Sequence, residues 1–177
     1  NLYGQIDFKL LLNEHTKIKK GNSEIALIGV ENWGKNFKQA GDLNKASEAY
    51  EKAYEIIGEI GDIQLLAQNL TNRGNVFEKQ GDYVRSKKMF QECLELCEKH
   101  NIQFGIMLSY INLGNTHFLM KDYAPAEHYF NKGLELAITI KSQNIEALAF
   151  EKLAKLYVAK NNFEKAFFLI EKFHKID

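Results

Sequence analysis

The chain has 177 residues, in which 23 lysines and arginines balance 23 aspartates and glutamates. This balance provides no overall field to attract nucleic acid or an anionic membrane, and no apolar run approaches the roughly 20 residues that cross a bilayer. We therefore expect a soluble, cytoplasmic protein that binds neither nucleic acid nor membrane.

A period of forty residues organises the chain. One register holds a small residue in each copy, namely Gly34, Gly74, Gly114 and Ala154. Another register holds an aspartate or asparagine in each copy, namely Asp42, Asp82, Asp122 and Asn162. Self-similarity at a fixed period of this kind is typical of a repeat array, in which each unit packs on its neighbours.

The array begins with half a repeat. Tyr3 and Leu10 align with Leu43 and Tyr50 of the first complete unit, so residues 1–20 are predicted to form a second helix whose first helix is missing. We therefore expect the chain to be part of a longer protein.

Four repeats follow, and with the half repeat they make residues 1–177 a single solenoid. Their predicted bounds are 21–60, 61–100, 101–140 and 141–177. Helical spacing of the apolar residues predicts two helices in each repeat. The first helices are predicted near 22–40, 62–80, 102–120 and 142–160, and the second helices near 43–60, 83–100, 123–140 and 163–176.

The links between helices have a stop signal followed by a start signal. In Gly41-Asp42 and Gly81-Asp82 the glycine suits a left-handed helix end, and the aspartate can accept from free amides of the next helix. Glycine within a helix costs about 1 kcal/mol relative to alanine. We expect close approach of the partner helix, at its small residues, to offset this cost; those residues are Ala46, Ser86, Ala126 and Ala166.

The third unit has the best single match to a known family. Its matching residues are Leu113-Gly114-Asn115, Asp122-Tyr123, Ala126, Tyr129-Phe130 and Leu134-Glu135-Leu136-Ala137. They resemble the tetratricopeptide repeat (TPR) family, and the long period is similar to the extended variant of polarity adaptors, kinesin light chains and bacterial peptide-pheromone receptors. The resemblance implies an all-α fold, a right-handed α-solenoid of antiparallel helix pairs, whose concave groove binds peptide segments or partner helices.

Some residues depart from the family pattern. Arg73 replaces a large apolar residue, His117 replaces an aromatic one, and the fourth unit lacks both glycines and the turn aspartate. Glu31 stands where the lysine of the family's carboxylate clamp is expected, which argues against an adaptor for chaperone tails.

A polar stripe on the first helices is the predicted peptide-binding groove. Its candidate residues are Asn32, Lys35, Asn72, Asn75, Lys79, Asn112, Asn115, Lys152 and Lys155. Asparagine amides can donate to and accept from a peptide backbone, and asparagine is a poor helix former. The alternative is a tolerated polar residue on an exposed face. The lysines suggest an acidic group or C-terminal carboxylate in the partner, or else a solvated charged face.

The last helix has aromatic residues at positions that are polar or small in the earlier units. Phe167 and Phe168 follow this pattern, and Phe173 replaces the smaller residues Ala53, Cys93 and Gly133. An exposed patch of this kind indicates docking, either as a homodimer or against an adjoining domain. The alternative is an end cap whose aromatic rings fold onto the unit itself.

No sequence pattern indicates an enzyme, a metal site or a cofactor. Glycine-rich phosphate loops, HExxH pairs and nucleophile elbows are absent. Cys93 and Cys97 suit small core positions better than a metal site with His100, and His117 falls in a core register.

These features predict a scaffold that binds a protein or peptide. One alternative is a peptide-sensing regulatory domain of a larger signalling or transcription-regulating protein. A further alternative is a structural array that assembles with copies of itself.

Overall fold

A computed structural model describes residues 23–176, so the predicted half repeat at 1–20 lies outside the described residues. This part of the chain contains helices and no strands, which confirms the all-α class. The helices are α1 (Ser23–Ala40), α2 (Leu43–Ile60), α3 (Ile63–Lys79), α4 (Tyr83–Lys99), α5 (Gln103–Leu119), α6 (Tyr123–Thr139), α7 (Gln143–Ala159) and α8 (Phe163–Phe173). They match the predicted helices closely, and the largest difference is at α8, where a turn follows Phe173.

Links of two or three residues connect the helices. Gly41 and Gly81 have φ values of 81° and 78°, as predicted for left-handed helix ends. The same conformation is taken without glycine in the later links, by Asn101, Lys121, Lys141 and Asn161, with φ between 55° and 61°. The turn is therefore retained where its glycine is lost.

Aspartate or asparagine caps most of the predicted second helices. Asp42, Asp82 and Asn162 each accept a hydrogen bond from the backbone amide three residues later. All three of these hydrogen bonds are exposed to solvent. Asp122, in the same register, accepts no capping hydrogen bond. Its carboxylate instead lies 3.1 Å from Nδ1 of His117, so the two contacts compete for one side chain.

Large aromatic rings, rather than the small residues predicted, lie closest to two of the mid-helix glycines. A methyl group at Gly34 would come within 2.8 Å of Tyr50 Cε1, and one at Gly114 within 2.5 Å of Phe130 Cδ1. The partner helix does approach closely, because Ala46 and Ala126 are fully buried. The two helices therefore approach closely, as expected, but the atoms nearest to the glycines belong to aromatic rings and not to the small residues.

The chain divides into two compact units, 1–81 and 82–177, with the boundary inside the second predicted repeat. In the first unit α1 packs on α2 and α2 on α3, around Val30, Ala53 and Ile57. In the second unit each helix from α4 to α8 packs on the next, and α5 also contacts α7. The first helices of the last two repeats therefore lie side by side.

Candidate functional site

The predicted groove residues of the first unit lie on α1 and α3. Asn32 and Lys79 are exposed, whereas Lys35, Asn72 and Asn75 are half-buried. Nδ2 of Asn72 is buried and has no acceptor among the residues that the structure describes. A buried amide without an acceptor is costly, so this side chain has an unused capacity to donate.

Asn69, one turn before this stripe, has a structural role that the sequence did not reveal. It is fully buried, and its Nδ2 donates to the backbone oxygen of Tyr50 over 2.9 Å. The equivalent positions in the other repeats hold the small residues Gly29, Ser109 and Ala149. Their small size was the one signal in the sequence that Asn69 is buried.

In the second unit the predicted groove residues already contact one another. Nζ of Lys152 on α7 donates to Oδ1 of Asn115 on α5 over 3.1 Å. Lys155 pairs with Glu151 on the same helix, and its hydrogen bond holds the pKa of Glu151 below the usual range. Asn112 is half-buried. The structure therefore brings Asn115 and Lys152 together and gives both groove lysines a local partner.

A further polar contact, which the sequence did not predict, joins α6 to α7. Glu127 accepts from the Tyr157 hydroxyl and from Nζ of Lys160. Burial raises the pKa of Glu127, but these two hydrogen bonds and the nearby lysine charges outweigh it and keep that pKa low. In the sequence these residues lie about thirty apart, on helices that only the fold makes neighbours.

His117 is buried and hydrogen-bonded, as its core register predicted. The residue is 9% exposed, and its ring stacks on Tyr129 with 5.5 Å between ring centroids. Together with the contact to Asp122, this places the histidine in the packing between α5 and α6, where no nucleophile accompanies it among the described contacts.

The cysteines are packed into the core. Cys93 and Cys97 are both buried, and burial, with Cys93 beside it, raises the pKa of Cys97 to about 12. A thiol with so high a pKa stays protonated and is a poor metal ligand. Within residues 23–176, no group of three or more histidine, cysteine, aspartate or glutamate side chains could hold a metal ion.

The aromatic residues of α8 divide into two sets. Phe167 and Phe168 are 64% and 56% exposed, whereas Phe173 packs against the core of the second unit. Phe163 and Ile170 are exposed as well. We call Phe163, Phe167 and Ile170 the α8 outer face.

The equivalent positions on α6 are covered by the following helix. Phe130, which corresponds to Ile170, is 1% exposed. Glu127, which corresponds to Phe167, contacts Tyr157 of α7. The α8 outer face therefore has the position of a helix-stacking surface and a more apolar composition than its counterpart.

None of the described helices is both long and apolar enough to cross a membrane. No curated protein matches the chain by sequence. Solved structures are similar in fold.

BtubC from P. vanneervenii gives a TM-score of 0.77 at 19% identity, over 96% of this chain and 70% of that one. A putative kinesin light chain of Podospora anserina gives 0.75 at 12% identity, over 96% and 82%.

In two further similar structures the matched part is less than two thirds of the chain. RapI gives a TM-score of 0.79 at 15% identity, and aspartyl phosphate phosphatase F from Bacillus subtilis gives 0.67 at 18%. Each match covers 96% of this chain, which spans 61% of RapI and 53% of the phosphatase. These likenesses show the fold, a TPR-like helical solenoid.

The sequence matches family models as well as structures. Two models described as tetratricopeptide repeat match residues 25–99 and 109–137, which together are more than half of the chain. Repeats of this kind are scaffolds for protein interaction, because stacked units form an extended surface. On these matches and on its helix pairs, the chain belongs to the tetratricopeptide repeat family.

Proposed function

We propose that the chain is a scaffold that binds an extended peptide segment along the asparagines of its first helices. The observation that carries this proposal is the buried Nδ2 of Asn72, which has no acceptor among the described residues. A backbone carbonyl of a bound peptide would supply one. Asn32, Asn75 and Asn112 offer further amides at the two repeating registers of the stripe.

The second unit supports the same proposal through its packing. Because α5 and α7 lie side by side, side chains at equivalent registers of successive repeats are neighbours, as Lys152 and Asn115 show. A row of amides that recurs at such neighbouring positions can follow a main chain without requiring one side-chain sequence.

Peptide selection followed by calorimetry tests this function. Twelve-residue peptides selected on the wild-type protein from a random display library should bind the variant Asn72→Ala/Asn112→Ala about tenfold more weakly or worse, since two hydrogen bonds are lost. The free energy of unfolding should stay within about 1 kcal/mol of the wild type, because both side chains are half-exposed.

The matched control is Asn131→Ala/Asn144→Ala, which removes two exposed asparagines outside the stripe. It should leave the affinity unchanged. Equal affinity of the stripe variant and the control for the selected peptides would contradict the proposal.

A regulatory role of the same site is an alternative. In it, peptide binding changes an attached signalling domain. The adjoining sequence in the gene distinguishes the two: a kinase, cyclase or DNA-binding domain favours regulation, and further repeats alone favour scaffolding.

Self-assembly through the α8 outer face is a second function that a specific observation favours. The α8 outer face carries Phe163, Phe167 and Ile170, all exposed, and an exposed apolar patch of this kind marks an interaction surface. The equivalent face of α6 is covered by a helix, so we propose that a second copy of the chain supplies the helix that covers α8. A two-fold pair would bury the same apolar face on both partners. Sedimentation analysis tests it.

A further inference from the structure

Three lysines of the first unit lie near one another. Lys35 and Lys38 are one turn apart on α1, and Lys79 is in the last turn of α3. Gln80, next to Lys79, donates to Oδ1 of Asn44 over 3.2 Å, which holds the end of α3 beside the start of α2. Burial lowers the pKa of Lys38, and the charges of Lys79 and Lys35 lower it further.

These lysines differ from the other cations that the structure describes in the first unit. Lys45 pairs with Asp42, Lys52 with Glu55, and Arg73 lies 3.7 Å from Glu51. Lys35, Lys38 and Lys79 form no ion pair with any residue that the structure describes. A lysine at a helix C-terminus is favoured by the helix dipole, which accounts for Lys38 and Lys79 separately but not for their grouping with Lys35.

Unpartnered polar groups accompany the three lysines. Nζ of Lys38 lies 5.8 Å from the centroid of the Tyr50 ring, and the hydroxyl of that tyrosine is buried without a partner among the described residues. Oε1 of Gln80 is buried and unpartnered as well, but it is an acceptor, so the Tyr50 hydroxyl is the one of these two groups that can donate to an anion. Glu31, one turn before Lys35, is buried too and makes no ion pair with it among the described contacts.

The lysines of the second unit lack this property. Lys152 and Lys155 were among the lysines for which the sequence suggested an acidic group in the partner. In the structure Lys152 donates to Asn115 and Lys155 pairs with Glu151. An anion there would have to displace an existing contact. In the first unit an anion would offset the like-charge repulsion by which Lys79 and Lys35 act on Lys38.

We propose that Lys35, Lys38 and Lys79 together bind an anionic group, a carboxylate or a phosphate, of an acidic peptide. This inference rests on the peptide-binding function proposed above. If it holds, the acidic part of the bound peptide lies on the first unit.

Side-chain NMR and calorimetry with defined probes test this site. The probes are a hexaglutamate peptide with an amidated C-terminus, the same peptide with one central phosphoserine, and inorganic phosphate. The hexaglutamate peptide should shift the side-chain resonances of the three lysines. Its dissociation constant should rise about tenfold or more in Lys38→Gln/Lys79→Gln, since two charge-assisted contacts are lost.

The control Lys99→Gln/Lys132→Gln, at two exposed lysines of the second unit outside the stripe, removes the same number of charges. It should change the dissociation constant by about twofold at most, the screened effect of distant charge. Tighter binding of the phosphoserine peptide and of inorganic phosphate would identify a phosphate site, and tighter binding of hexaglutamate a carboxylate site. Equal losses in the two double variants, with unchanged circular dichroism, or no shift at the three lysines, would overturn the site.

The two proposals can fail separately. If the selected peptides lose affinity in the asparagine variant but hexaglutamate does not respond to the lysine variant, the groove function stands and the anion site is wrong. If hexaglutamate responds to the lysine variant while no selected peptide responds to the asparagine variant, the anion site stands and the asparagine groove is wrong.

Discussion

At the scale of single residues, the fold depends on pairs of positions that vary together between repeats. Gly34 is covered by the Tyr50 ring, and Gly114 by the Phe130 ring. In the fourth repeat the same two registers hold Ala154 and Ile170. The smaller side chain on the second helix accompanies the larger one on the first, as close packing requires.

Gly114→Ala should therefore destabilise the protein although alanine is the better helix former. The gain of about 1 kcal/mol in helix propensity is outweighed by about 1–3 kcal/mol of overpacking, because the added methyl group meets a buried ring. Urea denaturation measures the change. With Phe130→Ile added, the loss should be smaller than the sum of the two single losses.

Gly58→Ala is the matched control, because nothing lies within 4 Å of the methyl group that it adds on α2. It should stabilise the protein by about 0.5–1 kcal/mol. A stabilising Gly114→Ala, or strict additivity with Phe130→Ile, would show that the ring does not limit this position.

Residue identities were only partly predictable at this scale. The small register was visible in the sequence, and so was the buried register of His117, because both follow the repeat. The contact of Asp122 with His117 was not, since a capping aspartate has the same sequence signature whether it turns to the amide or to the histidine.

At the scale of elements, the helix starts depend on a side chain that accepts from free amides. Asp62 is the fullest example, because its Oδ1 accepts from the amides of Gln64 and Leu65 at 2.8 Å and 3.0 Å. The sequence predicted a helix start there from spacing alone. Helix bounds were predictable because turn residues mark both ends of each link.

Asp62→Ala should lower the free energy of unfolding by about 1 kcal/mol, the typical effect of removing an N-cap, since the two amides lose their acceptor. Thermal or urea unfolding measures the loss. Asp62→Asn keeps an accepting oxygen and should stay within a few tenths of a kcal/mol of the wild type. Equal losses for the two substitutions would mean that charge rather than capping stabilises α3.

At the scale of the whole molecule, the repeat class was predictable from the sequence. Which of the predicted groove residues form hydrogen bonds or ion pairs was not. Periodicity reports which register a residue occupies. It cannot report that Lys152 donates to Asn115 while Lys35, Lys38 and Lys79 lack ion pairs among the described residues, because these differences arise between helices. The single solenoid over 1–177 and the longer parent protein stay predictions.

Self-association through α8 also belongs to this scale. Sedimentation should show a dimer of the wild type at about 100 µM and a monomer for Phe163→Ser/Phe167→Glu, because charge on the α8 outer face disfavours its burial. Val84→Ser removes an exposed apolar residue of α4 and should leave the dimer intact. A wild type that stays monomeric throughout the concentration range, or a dimer unchanged by the α8 substitutions, would exclude this interface.

The bridge between Lys152 and Asn115 makes Asn115 and Asn72 thermodynamically unequal as ligand positions. A ligand that reaches Asn115 exchanges one hydrogen bond for another, so its net enthalpy there is small, whereas a ligand at Asn72 forms a bond where none existed. Calorimetric heat should therefore come mainly from the first unit. Asn115 would therefore accept only a ligand group that can replace the lysine as a hydrogen-bond donor.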